Sequence, residues 1–580
     1  MQANWIFPEV REALILQLAG ELGVAPLIAR VLAARGMGQP ETARRFLRPS
    51  LAHLHDPYLM AGMEAAVTRL RRAIDAKETV LIYGDYDVDG TTSVVILKKA
   101  IELAGGTATF HVPHRLREGY GMRPEVIERA AADGVKLIVS VDTGIRALNE
   151  VAEARRLGMD MIVTDHHLPE AELPAALAVL NPNRPDCRYP EKNLCGAGVT
   201  FKLVQALLGT LDWPKDKLQR MMRSFLKLVA VATVADVVPL LGENRVIVKH
   251  GLDGMTRINN PGLQALMEVS GLFKGGIPTA REIAFQIAPR INAAGRMAQA
   301  NDVIRLFLTS DLAEARQVAG QLQVLNQERQ QTEADIVKAI LDECIQTPVT
   351  DENFALVFCQ PGWHRGVVGI VASRLVERFC RPVFVLGEEE GESKGSGRSI
   401  PSFHLLDALE SMPDLFTSFG GHRQAAGLGL QAGRVEEFRR RFNAYAAARL
   451  TPLDFRPQLA IDAVVQLNEL NDDSTEQLLA LAPFGFGNPP PVLAAMKAEL
   501  CGEPAILKEK HLRLRFRQGG RQLMATAWNF SERSNECATG LAMDIAFCLE
   551  EDSFNRGRGW PAWRAVLKDI RSAQYVQAGV

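Results

Sequence analysis

The chain has 580 residues, 47% of them hydrophobic and 23% charged, and its formal net charge is −2 at pH 7. Its length implies roughly three or four domains, and its composition is that of an ordinary soluble protein. The near-neutral charge excludes binding of a polyanion through the overall field, so any nucleic-acid binding must rest on local basic surfaces and metal ions.

No stretch approaches the roughly 18 uncharged apolar residues of a membrane span. The first residues, Met1 to Trp5, lack the basic and then apolar start of a signal peptide. We therefore expect a cytoplasmic protein. The eight cysteines are scattered without a C-x-x-C pair, so neither a zinc site nor a disulfide framework is indicated, and we expect most cysteines to be reduced and buried.

The first half of the chain alternates between two kinds of apolar pattern. Strand-like runs lie at residues 79–83, 107–112, 136–141 and 159–163. Helical runs lie between and after them at 92–105, 124–133 and 148–157. This alternation predicts a parallel sheet with right-handed crossovers, in which sites collect beyond the carboxyl ends of the strands.

The run GDYDVDG at residues 84–90 follows the first strand and contains Asp85, Asp87 and Asp89. An EF-hand loop counted from Asp85 would need glutamate at its twelfth position, which is Ile96, and would follow a helix. A phosphate-binding loop is disfavoured because the run has no lysine and three acids would repel phosphates. The remaining interpretation is a strand that ends in metal-binding acids.

Further acids and imidazoles follow the later strands. Asp142 ends the third strand, Asp165, His166 and His167 follow the fourth, and Asp236 interrupts an apolar run. So many carboxylates in one place cannot all stay ionised without cations, and this ligand set suits Mn²⁺ or Mg²⁺. Two such ions would serve hydrolysis of a phosphate ester or anhydride. Taken alone, Asp142 or Asp236 could be a solvated turn, and the Asp-His-His run could be a helix cap beside surface histidines.

The second half begins with a long stretch, residues 310–345, that has little glycine or proline and reads as one connecting helix. A second, smaller α/β domain follows and ends near residue 450. Beyond it, short alternating segments suggest a small β-barrel. The run HLRLRFR at 511–517 places three arginines on one strand face, namely Arg513, Arg515 and Arg517.

Three further segments of the sequence favour phosphate binding. Small residues lie between Arg290 and Arg296, and glycines surround Ser396 and Arg398, so a ligand could approach the backbone in both segments. His364 and Arg365 precede a helix N-terminus, which favours anion binding. The candidate residues are Arg290, Asn292, Arg296, His364, Arg365, Ser396 and Arg398. The alternatives are an ordinary loop with surface arginines for the first segment and a flexible polar hairpin for the last.

In this order, the acidic and histidine motifs resemble the four motifs of the DHH phosphoesterase superfamily. GGHRQAAG at 420–427 is similar to the signature of the DHH-associated domain, and the chain from about residue 50 onward resembles the exonucleases of this superfamily. The resemblance implies an α/β fold, in which a parallel-sheet DHH phosphoesterase domain is joined by a long helix to a smaller α/β DHH-associated domain, followed by an OB-fold-like β-barrel. The expected bounds are 1–50 for an N-terminal helical segment, 51–309 for the DHH domain, 310–347 for the connecting helix, 348–450 for the DHH-associated domain and 451–580 for the barrel.

The resemblance also implies two ions, each Mn²⁺ or Mg²⁺. Asp89, Asp142, His166 and Asp236 would hold one ion. Asp142 would bridge to the other ion, held with Asp87 and, nearby, Asp85. His167 would lie beside the scissile phosphate, where it would stabilise charge or aid proton transfer, and with Asp89 and Asp142 it forms the predicted catalytic set.

The substrate pocket implied by the resemblance draws on both α/β domains. Ser396 and Arg398, with Arg115 and Tyr120, would bind the 5′ phosphate and its base, although Tyr120 could equally be a core aromatic. His422, in the glycine-rich signature, joins the predicted substrate-binding set. Arginines 513, 515 and 517 would guide single-stranded DNA along the barrel, with Phe516 or Trp528 stacking on bases. A solvated strand face is the alternative.

The resemblance predicts a metal-dependent 5′→3′ exonuclease that hydrolyses single-stranded DNA to mononucleotides in recombinational, mismatch and base-excision repair. Expected partners are single-stranded DNA, single-strand-binding protein and a helicase, and we expect a monomer without membrane association. A small-nucleotide phosphodiesterase is the competing enzyme, but it would not need the barrel. A non-enzymatic replication scaffold is disfavoured because every metal-ligand position is filled. Polarity and the choice of DNA over RNA rest on the resemblance alone.

Overall fold

The computed structural model describes residues 3–573 except 116–117, 120, 274–275 and 553–561. The chain divides into two compact units, one of Leu51–Phe455 and one that combines Met1–Ser50 with Arg456–Val580. Among the described residues no single helix has the length and apolar composition to cross a membrane, although the bent pair Glu12–Leu22 and Pro26–Ala34 reaches that threshold when both halves are counted.

A five-stranded parallel sheet organises the first half of the larger unit, as predicted. Its spatial order is Thr107–His111, Thr79–Tyr83, Leu137–Val141, Asp160–Thr164 and Ala178–Leu180. Alternate residues of the central strands enter hydrophobic clusters on opposite faces, because helices cover both sides. The edge strand Ala178–Leu180 was not predicted, since three residues are too few to give a recognisable pattern.

Helices surround this sheet and lead to the connecting helix. Their bounds are Met63–Asp75, Val88–Leu103, Pro124–Ala132, Leu148–Arg156, Gly196–Gly209, Lys215–Ala235, Gly242–Gly254, Pro261–Val269, Ala280–Glu282, Ala288–Met297 and Asn301–Leu308, with a π-helical turn at Ile283–Ile287. The helix Val88–Leu103 begins four residues before the predicted start at 92. The Asp87 side chain caps it by accepting hydrogen bonds from the backbone N–H groups of Asp89 and Gly90.

The predicted connecting helix is confirmed as Leu312–Gln346, 35 residues capped by Asp311. It leads to a second lobe with a five-stranded sheet in the order Ser418–Gly421, Ala425–Gln431, Glu392–Arg398, Val383–Glu389 and Leu356–Pro361. The last two strands are parallel and joined through helix Val368–Phe379, while the other pairs are antiparallel. Two further helices, Leu405–Glu410 and Val435–Ala447, complete this lobe.

The smaller unit contains the predicted barrel. Five strands pair in the order Leu493–Leu500, Ala542–Glu551, Trp563–Ser572, Arg521–Ala527 and His511–Gln518, and the last strand pairs with the first to close the barrel. Residues 3–50 pack on it through a strand, Asn4–Ile6, and the helices Glu12–Leu22, Pro26–Ala34 and Pro40–Leu47. Trp5 donates to Asp569 at 2.8 Å, and Arg35 forms an ion pair with Asp462 at 2.7 Å.

The fold class predicted from the sequence is confirmed in all its parts. All eight cysteines lie within the described residues and are free. Four of them are buried and four half-buried, so the expectation of burial holds for half of them.

Candidate active site

Three neighbouring strands bring their acids to one edge of the parallel sheet. The loop with Asp85, Asp87 and Asp89 follows Thr79–Tyr83, Asp142 follows Leu137–Val141, and the Asp-His-His run follows Asp160–Thr164. Asp236 reaches the same place by a different route, as the residue that ends helix Lys215–Ala235. The side chains predicted as metal ligands are therefore gathered from four separate elements.

His166 lies at the centre of this acidic cluster. Its Nε2 atom is 3.3 Å from Oδ1 of Asp142, 3.8 Å from Oδ2 of Asp236 and 3.9 Å from Oδ2 of Asp89. Ligand atoms of Asp89, His166 and Asp236 lie within 4.8 Å of one another, as do those of Asp85, Asp87 and Asp142. A third such group joins Asp142, His166 and His167. Asp142 thus lies between two adjacent sets of possible metal ligands.

The electrostatics of the cluster fit a divalent cation. Oδ1 of Asp142 and Oδ2 of Asp236 are buried without a hydrogen-bond partner. Burial and then the charge of Asp89 raise the pKa of Asp142 well above its usual range, and the same causes raise the pKa of Asp236 to about 9. Burial lowers the pKa of His166, which favours the neutral ring that a metal requires. A hard cation would satisfy these oxygens and restore the ionised carboxylates.

The helix Gly196–Gly209 supports the cluster from behind. The backbone N–H groups of Gly196 and Ala197 donate to the two carboxylate oxygens of Asp89, at 2.6 and 2.8 Å. The helix N-terminus thereby helps to hold a buried negative charge. Sequence reasoning missed this support, although the run Gly196-Ala197-Gly198 was its visible signal: a side chain on Gly196 would collide with Asp142.

Asp165 was placed at this sheet edge by the sequence, but no role in the site was assigned to it. Its Oδ1 atom lies 2.7 Å from Nδ1 of His167, and its other oxygen accepts from the backbone N–H of Ile145 at 2.9 Å. Burial alone would lower the pKa of His167, but this hydrogen bond raises it. The amides of Asn181 and Asn183 donate to the carbonyls of His167 and His166, respectively. The pair of histidines is therefore fixed in orientation.

A group of arginines lies next to the acids. Burial, followed by repulsion from Arg115, Arg329 and Arg398, lowers the pKa of Arg296 to about 10. The guanidinium of Arg115 lies 5.0 Å from the centroid of the Tyr86 ring. Tyr86 lies between Asp85 and Asp87 in the sequence. We call Arg115, Arg296, Arg329 and Arg398 the arginine group. The positive charge gathered in this group suits a phosphate ligand.

The segment around Arg296 is a helix, Ala288–Met297, rather than an open loop. Asn292 accepts a hydrogen bond from the backbone N–H of Val88 at 3.3 Å, and a Cβ on Gly295 would lie 2.7 Å from the Tyr86 carbonyl oxygen. The small residues thus let the helix approach the acidic loop. Arg290 bonds Gln323 at 2.7 Å and is not part of the arginine group.

Ser396 and Arg398 lie on the strand Glu392–Arg398, the second arm of a β-hairpin inside the five-stranded sheet. They face the first turn of helix Val368–Phe379, where a Cβ on Gly369 would be 3.2 Å from Nη2 of Arg398 and 3.4 Å from Cβ of Ser396. Burial lowers the pKa of Arg398, and the charge of Arg115 lowers it further.

The remaining predicted substrate residues are more dispersed. Arg365 forms an ion pair with Glu389 at 3.2 Å, and Nδ1 of His364 accepts from the backbone N–H of Gly366 at 3.1 Å. His422 is exposed at the turn of the hairpin. Tyr120 lies outside the described residues.

The barrel strand His511–Gln518 alternates as predicted, with Arg513, Arg515 and Arg517 exposed. Arg517 is paired with Glu499 at 2.9 Å. The suggestion that Phe516 stacks on bases is wrong, because this side chain is only 1% exposed and lies in the barrel core. Trp528 remains available, since it is 43% exposed and meets His511 edge-on at 4.7 Å.

Comparison with known proteins agrees with this architecture. Residues 79–233 match the DHH family N-terminal domain, 351–448 the DHHA1 domain and 461–560 the RecJ OB domain. The single-stranded-DNA-specific exonuclease RecJ of Bacillus subtilis is 38% identical, over 99% of this chain and 71% of the relative.

Solved structures give the same result. RecJ of Thermus thermophilus in complex with Mn²⁺ superposes with a TM-score of 0.82 at 32% identity, covering 98% of this chain and 80% of the other. The Mg²⁺ complex of the same protein has a TM-score of 0.76 at 30% identity, with 98% and 79% coverage. The resemblance to DHH phosphoesterases is confirmed, and the chain belongs to the RecJ family of single-stranded-DNA-specific exonucleases.

Proposed function

We propose that this protein is a metal-dependent exonuclease that hydrolyses single-stranded DNA from the 5′ end and releases mononucleotides. The observation that carries the proposal is the cluster of acids with two orphaned carboxylate oxygens, Oδ1 of Asp142 and Oδ2 of Asp236, beside the arginine group. Side chains that could bind metal ions thus lie next to side chains that could bind phosphate. The activity named for the Bacillus subtilis relative and the Mn²⁺ and Mg²⁺ complexes of the Thermus thermophilus relative support the same reading.

Two divalent cations, Mn²⁺ or Mg²⁺, would be held by the acidic cluster. Asp89, Asp142, His166 and Asp236 would hold one ion, and Asp85, Asp87 and Asp142 the other. When bound, the ions would neutralise charge on the scissile phosphate and lower the pKa of the attacking water. Asp142 belongs to both sets because its carboxylate lies between the Asp85-Asp87 pair and His166.

The side chains around the cluster position the phosphate and manage protons. His167, oriented by Asp165, can hold a proton next to the reacting phosphate and give it to the leaving oxygen. Arg296 and Asn292 lie on one helix and would contact the sugar-phosphate backbone of the DNA strand. Ser396, Arg398, Arg115 and Tyr120 would bind the 5′ phosphate and its base, with Arg290, His364, Arg365 and His422 as outer contacts.

We further propose a DNA-contacting surface, the partner proteins and the repair processes of this nuclease. Outward arginines 513 and 515 on the barrel supply local positive charge for a nucleic-acid backbone, even though the whole chain is near neutral. The chain would act as a cytoplasmic monomer with single-strand-binding protein and a helicase, in recombinational, mismatch and base-excision repair. We propose that these tasks are divided among the domains expected from the sequence. Their bounds are 1–50, 51–309, 310–347, 348–450 and 451–580.

Digestion of a long single-stranded DNA labelled at one end or the other tests the function. With Mn²⁺ or Mg²⁺, the 5′ label should appear at once as mononucleotide, the 3′ label should appear late, duplex should survive, and EDTA should stop the reaction. Asp89→Ala should be inactive with an unchanged circular dichroism spectrum. Cleavage of dinucleotides or cyclic dinucleotides without attack on the long strand would instead identify a small-nucleotide phosphodiesterase.

A further inference from the structure

The connecting helix buries a carboxylate where it passes the second lobe. Glu333 is 1% exposed, and a carboxylate in such a position is costly unless it is paired. One oxygen accepts a hydrogen bond from Nη1 of Arg329 at 2.6 Å, one turn earlier on the same helix. The other oxygen contacts Nε of Arg374, on helix Val368–Phe379. A single carboxylate thus links the connecting helix to the second lobe.

The first of these partners belongs to the arginine group. Arg329 is almost buried, and its guanidinium also donates to Oδ1 of Asn326 at 3.1 and 3.3 Å. Its charge is one of those that lower the pKa of Arg296. Glu333 therefore neutralises an arginine that would otherwise stand buried and unpaired beside the proposed phosphate ligands.

The second partner belongs to the helix that walls the proposed 5′-phosphate pocket. The first turn of Val368–Phe379 approaches Ser396 and Arg398 closely: a Cβ at position 369 would lie 3.2 Å from the guanidinium of Arg398 and 3.4 Å from Cβ of Ser396. Arg374 follows five residues later on this helix and is held by Glu333, although its own side chain is 61% exposed. Gly369, which borders the proposed pocket, and Arg374, which contacts Glu333, therefore lie on the same short helix.

We propose that Glu333 is a positioning residue for recognition of the 5′ phosphate. It fixes helix Val368–Phe379 against the connecting helix, and so holds the pocket of Ser396 and Arg398 at its distance from the acidic cluster. This inference rests on the proposed function, because it assigns the pocket to the 5′ end of the DNA strand.

The test compares one DNA strand with a 5′ phosphate and the same strand with a 5′ hydroxyl. For Glu333→Gln with Mn²⁺, KM for the phosphorylated strand should rise about tenfold, while KM for the hydroxyl strand stays within about twofold and kcat for both within about threefold. Glu333→Asp, which keeps the charge, should recover part of the preference. Glu328→Gln is the matched control, because Glu328 is an exposed glutamate five residues earlier on the same helix.

Arg374→Gln tests the link between Arg374 and Glu333 from its exposed end, since the Arg374 side chain is 61% exposed. It should reduce the preference for the phosphorylated strand as Glu333→Gln does. Affinities of the two strands measured by fluorescence anisotropy in EDTA report the pocket separately from hydrolysis, so a failure of the nuclease proposal would not obscure the result. A wild-type preference that persists in both variants overturns the inference, as does an equal loss of affinity for both strands or a lowered Tm alone.

Discussion

A Cβ atom on Gly196 would lie 2.5 Å from Oδ1 of Asp142, closer than any real contact of this kind. The carboxylate that is central to the proposed metal site therefore packs against bare backbone. Asp142 has limited freedom to retreat, because its own backbone adopts a left-handed conformation with φ of 60°. The same glycine donates its N–H to Asp89, so one residue constrains two proposed ligands.

Gly196→Ala should accordingly weaken metal binding about 10- to 100-fold, since displacing the groups that orient metal ligands has effects of this size. Nuclease activity at limiting Mn²⁺ should fall in proportion and recover partly at high Mn²⁺. Isothermal titration with Mn²⁺ measures the change directly. Gly209→Ala, at the far end of the same helix with open space around its Cβ, is the control and should leave Mn²⁺ affinity unchanged.

The stability of the metal-free protein should fall as pH rises. Burial and neighbouring acids raise the pKa of Asp142, and raise that of Asp236 to about 9. The folded state then binds protons that the unfolded chain has released, so stability is lost between the unfolded value of about 4 and the raised folded values. Tm in EDTA should therefore decline from about pH 5 to pH 9.

Mn²⁺ should reverse this trend, because its ligands must be deprotonated and its affinity increases with pH. Asp236→Asn removes one raised carboxyl and should make the decline in EDTA shallower. A Tm in EDTA that rises steadily over the same range would contradict the raised carboxyl pKa values.

The sequence was most informative where a single strand ends in several acids. Because parallel strands deliver their carboxyl ends to one edge, Asp87, Asp142 and His166 could be placed together from the sequence alone. The barrel strand was equally readable, since its strict alternation fixes which face is buried. Both predictions depend on local periodicity and on a general rule of sheet topology.

Support from distant segments could not be read in the same way. The helix N-terminus that holds Asp89 lies more than 100 residues away in sequence, at Gly196 and Ala197. The pairing of Glu333 with Arg374 joins two helices whose patterns say only that one face is buried. The error at Phe516 has a simpler cause: its position in the alternation already placed it opposite the arginines, in the core.

Asp165→Asn should impair turnover more than metal binding. The carboxylate accepts from Nδ1 of His167 and raises the pKa of that ring despite its burial, so the amide variant would lower the pKa of His167 and loosen its orientation. We expect kcat to fall about 10- to 100-fold with Mn²⁺ affinity changed much less. The limb of the kcat pH profile that reports protonated His167 should shift to lower pH, while an unshifted profile would contradict the role of Asp165.

The exposed arginines of the barrel should differ in their contribution to DNA binding. Arg513 and Arg515 extend from the strand face, whereas Arg517 is already paired with Glu499. Replacing Arg513 or Arg515 by alanine should lower the slope of log affinity against log salt by about 1 each. Arg517→Ala should change it less, because the glutamate already competes for its charge. Equal slopes for all variants and wild type would leave the strand face solvated and uninvolved.

Phe516 and Trp528 should separate stability from binding. Phe516 is buried in the barrel core, so Phe516→Ala should lower the free energy of unfolding of this unit by about 3–5 kcal/mol. Trp528 is partly exposed, and Trp528→Ala should instead weaken binding of oligothymidine by about 1–3 kcal/mol, the usual contribution of one stacked base. Thermal unfolding and fluorescence anisotropy on both variants distinguish the two effects. Trp528→Phe, which keeps an aromatic face, should retain most of the affinity, and a Trp528→Ala variant that binds as tightly as wild type would exclude this ring from the DNA path.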